Sequence, residues 1–166
     1  MIHVSLIPRP DRNAVARPAT VTAPHDKVDL RALIDTHGYV VLYDGVCGLC
    51  NGFVQWVLAR DPSGTMRFAT LQGPIGDAAR RALPQIADVD SVVVLYKDGA
   101  WVKSTAALEV ARYVGGAWAI AVAAYVIPRV VRDAVYDAIA RRRYGWFGRY
   151  DSCPIPTPEQ RARFLD

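Results

Sequence analysis

The chain has 166 residues, 52% of them apolar and 22% charged, enough for one sizeable core but not two, in the proportions of an ordinary globular protein. Its 20 Lys and Arg against 16 Asp and Glu leave a charge of +4, and no dense basic face with interleaved aromatics accompanies that surplus, which argues against nucleic acid as a partner. Three cysteines are too few and too odd in number for a disulfide framework, and Pro8, Arg9, Pro10, Asp11 and Arg12 cut off the apolar start before a signal-peptide core can form, so a reducing, cytoplasmic setting is expected.

Residues 1–25 carry Pro8, Pro10, Pro18 and Pro24 without lasting periodicity and are expected to form a flexible, disordered arm. Leu30, Leu33 and Ile34 recur at helical spacing before Gly38, and Val40 to Tyr43 reads as a buried strand. The next helix is predicted from about Cys47 to Arg60, stopped by Asp61-Pro62-Ser63-Gly64. A second strand at Met66 to Thr70 and a short helix around Gly76 to Leu83 follow. Val92 to Tyr96 is the strongest strand, and Asp98-Gly99 turns it back through Ala100-Trp101-Val102. Ser104 or Thr105 is expected to cap a helix whose Ala107, Leu108, Val110 and Ala111 face the sheet, with Gly115-Gly116 ending it.

That order predicts an α/β fold, a thioredoxin-like βαβαββα core over residues 26–115 that places Cys47-Gly48-Leu49-Cys50 where the first core strand hands over to its helix. Residues 116–166 are expected to form a helical extension and tail packed on the core. Within it, the sixteen residues from Tyr113 through Pro128 hold no charge. The run is short for the roughly 20 residues a bilayer span needs, and a buried helix is preferred over membrane contact, although Arg129 and Arg132 would suit a headgroup surface. After Pro128, Val131, Ala134, Val135, Ala138 and Ile139 form one helix face and Arg129, Arg132, Asp133 and Asp137 another. Arg141-Arg142-Arg143 is read as a cationic helix end with the following aromatics folded onto the core, or with Trp146 and Phe147 forming a docking surface for a partner protein.

Two thiols three residues apart at a helix start are a redox site. Unpaired backbone N–H groups and the helix dipole favour thiolate on Cys47. Cys50, one turn further in, is expected to be more buried and to resolve a mixed disulfide by attacking Cys47. Gly48 and Leu49, between the thiols, leave the direction of electron flow open, and no cofactor is expected beyond the cysteine pair. Asp44, three residues before Cys47, either shapes the loop by accepting from the amides of Val46 or Cys47, or takes the proton from Cys50 during resolution.

Tyr43-Asp44-Gly45-Val46-Cys47-Gly48-Leu49-Cys50-Asn51 resembles the signature of the DCC family of thiol-disulfide oxidoreductases, named for its Asp-Cys-Cys set. Phe68-Ala69-Thr70-Leu71-Gln72, Ser104-Thr105-Ala106-Ala107, Ile127-Pro128, Arg132-Asp133, Tyr136, Arg143-Tyr144 through Phe147-Gly148, and Cys153 are similar to its pattern over about residues 39–165. The resemblance implies a thioredoxin-like fold and dithiol exchange with protein or low-molecular-weight thiol and disulfide substrates, carried by Cys47 and Cys50 with Asp44 beside them. Thioredoxins place a cis-proline before the third strand. Here Val89-Asp90-Ser91 stands instead, so Ser91 joins Gly48 and Leu49 as a candidate substrate contact. Cys153 is a small buried hydrophobe, a third redox partner or a metal ligand. The alternative function is a zinc-binding or partner-binding module, in which Cys47, Cys50, Cys153 and one of His3, His25 or His37 hold the metal and nothing turns over.

Overall fold

The computed structural model describes residues 28–61, 63–149 and 157–166. The expected N-terminal arm, His3, His25 and Cys153 lie outside them. Four strands, β1 (Val40–Tyr43), β2 (Arg67–Thr70), β3 (Val93–Tyr96) and β4 (Gly99–Val102), form one sheet in the order β2-β1-β3-β4. β1 pairs parallel with β2 and antiparallel with β3, and β3 with β4 forms the predicted hairpin. The parallel pair requires a crossover, supplied by α2 (Gly48–Leu58). α1 (Leu30–His37) and α3 (Pro74–Ala82) precede and follow these elements, and α4 (Lys103–Val114) leaves β4 directly. This mixed α/β architecture is consistent with the thioredoxin-like expectation.

Both faces of the sheet are covered, which is why its strands are continuous apolar runs rather than alternating ones. Val40 and Leu42 point to one face, with Ile34 of α1 and Ile75 and Ala79 of α3; Val41 and Tyr43 point to the other, with Val54 and Val57 of α2 and Ala106 and Val110 of α4. Gly76 sits so close to the turn after β2 that an added Cβ would lie 2.4 Å from the Leu71 carbonyl oxygen, leaving no room for any side chain there. The free edge of β2 is capped by the chain's own end: Phe68 N–H donates to the Arg163 carbonyl (2.9 Å) and Leu165 N–H to the Phe68 carbonyl (2.9 Å). Arg163 also pairs with the buried Asp61, whose carboxylate accepts from the amides of Ser63, Gly64 and Met66. Burial opposes charge on Asp61, but Ser63 and Arg163 outweigh it and hold the carboxyl below its usual range.

Two expectations are corrected. Neither Ser104 nor Thr105 caps α4: Val102 occupies the cap position, and Ser104 Oγ donates instead to Asp133 Oδ1 (2.5 Å). The uncharged run is not a buried helix. Gly116–Val126 winds as a 3₁₀ helix with no buried residue, and Trp118, Ile120 and Val126 are exposed. It lies on the surface, held by Trp118 edge-on to Trp56 and by Tyr125 donating to Glu109 Oε1 (2.6 Å). Among the described residues no helix is long and apolar enough to cross a membrane.

α5 (Arg129–Phe147) presents its charged face inward. Arg132 and Arg143 are buried, whereas Val131, Val135 and Ile139 are exposed, as are Trp146 and Phe147. Burying those cations is tolerable because each meets partners. Arg132 Nε donates to the Ile127 carbonyl (3.1 Å) and Nη1 to Ser104 Oγ (3.2 Å); Lys103 of α4 pairs with Asp137 (2.8 Å). Arg143 reaches the loop before α2. A final helix, α6 (Pro158–Arg161), carries a capping box between Thr157 and Gln160.

Candidate functional site

The site grows from the loop between β1 and α2. Asp44 follows the last residue of β1, and its backbone and side chain fold the turn: its carbonyl accepts from Cys47 N–H (3.2 Å) and Oδ1 from Val46 N–H (3.2 Å). Asn51, buried in α2, donates to the Gly45 carbonyl (2.9 Å). Because Tyr43 pairs in register with Thr70, the loop after β2 lies alongside. From it, Gln72 Nε2 donates to Asp44 Oδ1 (3.1 Å) and Oε1 accepts from Gly45 N–H (3.4 Å).

Cys47 is the N-cap of α2, and its sulfur accepts from Cys50 N–H at 3.4 Å. Both thiols are free. Cys47 has no exposed surface and Cys50 has 5%, so the expectation that Cys50 is the more buried of the two is not met. The cause is the chain after α5, which lies across the start of α2. Gly48 N–H donates to the Gly148 carbonyl (3.2 Å), and Cys47 forms an antiparallel bridge with Arg149. Burial, together with the hydrogen bond to Cys47, pushes the Cys50 thiol up to about 12, against weaker opposing pulls from Arg143 and the Asp44 backbone. Cys50 therefore keeps its proton at neutral pH, and its N–H points at the neighbouring sulfur.

Gly148 makes this cover possible. Its φ of +73° is one that residues with a Cβ adopt only at a cost of about 1–2 kcal/mol. Gly148→Ala is expected to loosen the 148–149 segment and raise the alkylation rate of Cys47 by iodoacetamide by about fivefold or more. Peptide mapping of the alkylated protein checks this; an unchanged rate would show that the segment does not control access.

Both oxygens of the Asp44 carboxylate are engaged. Oδ2 accepts from Arg143 Nη2 (2.9 Å) and from the Tyr144 hydroxyl, while Oδ1 takes Val46 and Gln72, so four donors converge on one fully buried side chain. Arg143, also buried, donates in addition to the Asp90 carbonyl, to Asp90 Oδ2 (3.1 Å) and to the Tyr144 hydroxyl (2.9 Å). Burial opposes its charge, but Tyr144, Cys50 and Asp90 outweigh it and raise its pKa. The Tyr144 hydroxyl is raised as well, by burial and by its bond to Asp44.

Of the sequence-predicted residues, the structure brings Asp44, Cys47, Gly48, Leu49 and Cys50 together in one loop and helix start. Ser91 is buried, and the next residue, Val92, packs in the same cluster as the thiols and donates its N–H to the Tyr136 hydroxyl (3.3 Å). No cis peptide bond occurs among the described residues. Sequence reasoning missed Gln72, Tyr136, Arg143 and Tyr144 as site residues. Their only signal was membership in the strings that resemble the family pattern, because no periodicity links Asp44 to a partner 99 or 100 residues away. Among the described residues no group of three or more His, Cys, Asp or Glu is placed to hold a metal; His37 lies in the last turn of α1.

Comparison with known proteins agrees with the geometry. The model of a family described as DCC1-like thiol-disulfide oxidoreductase matches residues 41–149. The uncharacterised protein YuxK of Bacillus subtilis is 42% identical over 127 residues, covering 76% of this chain and 93% of that protein. A chloroplastic DCC family protein of Arabidopsis thaliana is 36% identical over 118 residues, covering 70% of this chain and 69% of the relative. No solved structure matches.

Proposed function

The chain belongs to the DCC1-like thiol-disulfide oxidoreductase family, and on that premise we propose that it exchanges a dithiol for a disulfide through a mixed disulfide carried by Cys47 and Cys50. The observation that carries the reading is the placement of Cys47 at the N-cap of α2 with Cys50 N–H donating to its sulfur at 3.4 Å. A sulfur in that position gains from backbone donors when it bears charge. Cys47 thiolate attacks one sulfur of a substrate disulfide, and the first substrate thiolate leaves with a proton. Cys50 loses its proton and attacks the Cys47 sulfur, forming the Cys47–Cys50 disulfide and releasing the second substrate thiolate. Two electrons pass from the dithiol to the substrate, and the reverse sequence oxidises a substrate dithiol. Protein disulfides and low-molecular-weight thiols both fit this chemistry, and a reducing compartment such as the cytoplasm is the setting in which a free dithiol persists.

Asp44 works in this reading through position. With both carboxylate oxygens engaged, it ties the loop before Cys47 to Arg143 and Tyr144 of α5, and the proton leaving Cys50 goes to the departing substrate thiolate. Equilibration in glutathione buffers of graded potential, followed by acid quench and alkylation, tests the function. One two-electron transition that links Cys47 to Cys50 and persists in Cys153→Ser is expected. A pair that never closes across the accessible range would end the proposal.

A further inference from the structure

A cavity of about 250 Å³ lies beside the dithiol, walled by Leu49, Phe53, Val92, Ala107, Ile139 and Ala140. It reaches the pair from the Cys50 side, and Ile139 on its wall is itself 39% exposed, which places a mouth there. The remaining lining residues are Tyr136 and Arg143. Tyr136 is tied to Val92 N–H, and both terminal nitrogens of Arg143 are occupied by Asp44, Asp90 and Tyr144. Arg143 Nε, however, is buried and has no hydrogen-bond partner.

These features select a ligand. A cavity of about 150 Å³ takes one benzene ring, so a volume of about 250 Å³ admits one ring with an amide beside it. The charge of Arg143 is already answered by Asp44 and Asp90, so the cavity offers no free cation to a charged tripeptide disulfide such as that of glutathione. We propose that the cavity is the substrate subsite of this dithiol, and that it receives an aromatic side chain adjacent to the disulfide-bonded cysteine of a peptide or protein. The assignment rests on the oxidoreductase reading and narrows its substrate class to disulfides flanked by an apolar ring.

Two neutral peptide disulfides separate the ring from everything else: the symmetric disulfides of acetyl-Phe-Cys-amide and acetyl-Gly-Cys-amide, whose thiols differ little in intrinsic reactivity. Released thiol is followed after mixing each with the reduced full chain. The Phe peptide is expected to react at least about tenfold faster, the scale of burying one ring. Ala107→Leu and Ala140→Leu, which fill the cavity from two helices, are expected to bring the Phe rate down to the Gly rate of the same variant. Equal rates in the wild type, or a ratio that survives both variants, would overturn the subsite. Should neither peptide react, the glutathione titration decides the oxidoreductase reading, and binding of acetyl-phenylalanine-amide decides the cavity by itself. Methyl chemical shifts confined to Val92, Leu49 and Ile139 would support it, and their absence would overturn it.

Discussion

Cys50→Ser is expected to stop exchange at its midpoint and accumulate a stable adduct between Cys47 and the substrate thiol, visible by mass spectrometry of the intact protein. Cys47→Ser is expected to form no adduct and to lose turnover by at least about three orders of magnitude, the scale seen when an enzyme's nucleophile is removed. The asymmetry follows from the environments of the two sulfurs. Cys47 caps a helix and receives a backbone N–H, whereas Cys50 is held protonated by burial, with its thiol pushed up to about 12. The backbone donor at the first sulfur suits it to begin the reaction, and the second is placed to finish it. An adduct on Cys50 in the Cys47→Ser protein, formed at a comparable rate, would reverse the assignment. Because the cavity meets the pair on the Cys50 side, that outcome is a real competitor and the experiment distinguishes the two.

The second large effect is expected at the buried pair of Asp44 and Arg143. Their side chains are 0% and 5% exposed, and removing one partner leaves the other charged, buried and unanswered, a loss of about 3–5 kcal/mol in comparable pairs. For a chain of this length such a loss lowers the melting temperature by about 10 °C. Arg143→Met is expected to show that loss, and Asp44→Asn a smaller one, since the amide still accepts from Val46 and Gln72 through its oxygen. The double variant is expected to be more stable than the sum of the single effects, because the two residues are coupled. Asp44→Asn also separates the two roles open to this carboxylate. If Asp44 positions the loop, exchange slows without a change in the shape of its pH profile. If it accepts the proton from Cys50, one limb of the profile disappears. Additive losses in the double variant would show that the ion pair does not couple α5 to the cysteine loop.

Several local features were legible in the chain because their causes are local. Val40 to Tyr43 and Val92 to Tyr96 are β-branched or aromatic runs that only a sheet covered on both faces would bury, and the structure places strands there within a residue. Asp98-Gly99 turns the hairpin, and Gly115 ends α4 at positive φ. The turn amide predicted for Asp44 is present at Val46. By contrast, the sequence separates two faces of α5 without saying which meets the core, and the rule that apolar residues go inside points to the wrong one. That rule yields when a helix docks onto charged groups, and Arg132 and Arg143 meet Ser104, Asp44 and Asp90. The uncharged 113–128 run failed for the complementary reason: apolar composition shows that burial would be favourable, not that a surface is available to bury against.

Sequence alone determined the chemistry and where along the chain it occurs. The spacing of Cys47 and Cys50, at the point where a strand becomes a helix, is a local fact. Tertiary structure alone decided the surroundings of those sulfurs: the cover of Gly148 and Arg149 over Cys47, the clamp of Arg143 and Tyr144 on Asp44, and the apolar cavity that α5 closes beside Cys50. Each joins residues about a hundred positions apart. Backbone periodicity and turn chemistry act over a few residues, whereas desolvation and charge pairing depend on what the folded chain brings within a few ångströms, whatever its distance in sequence.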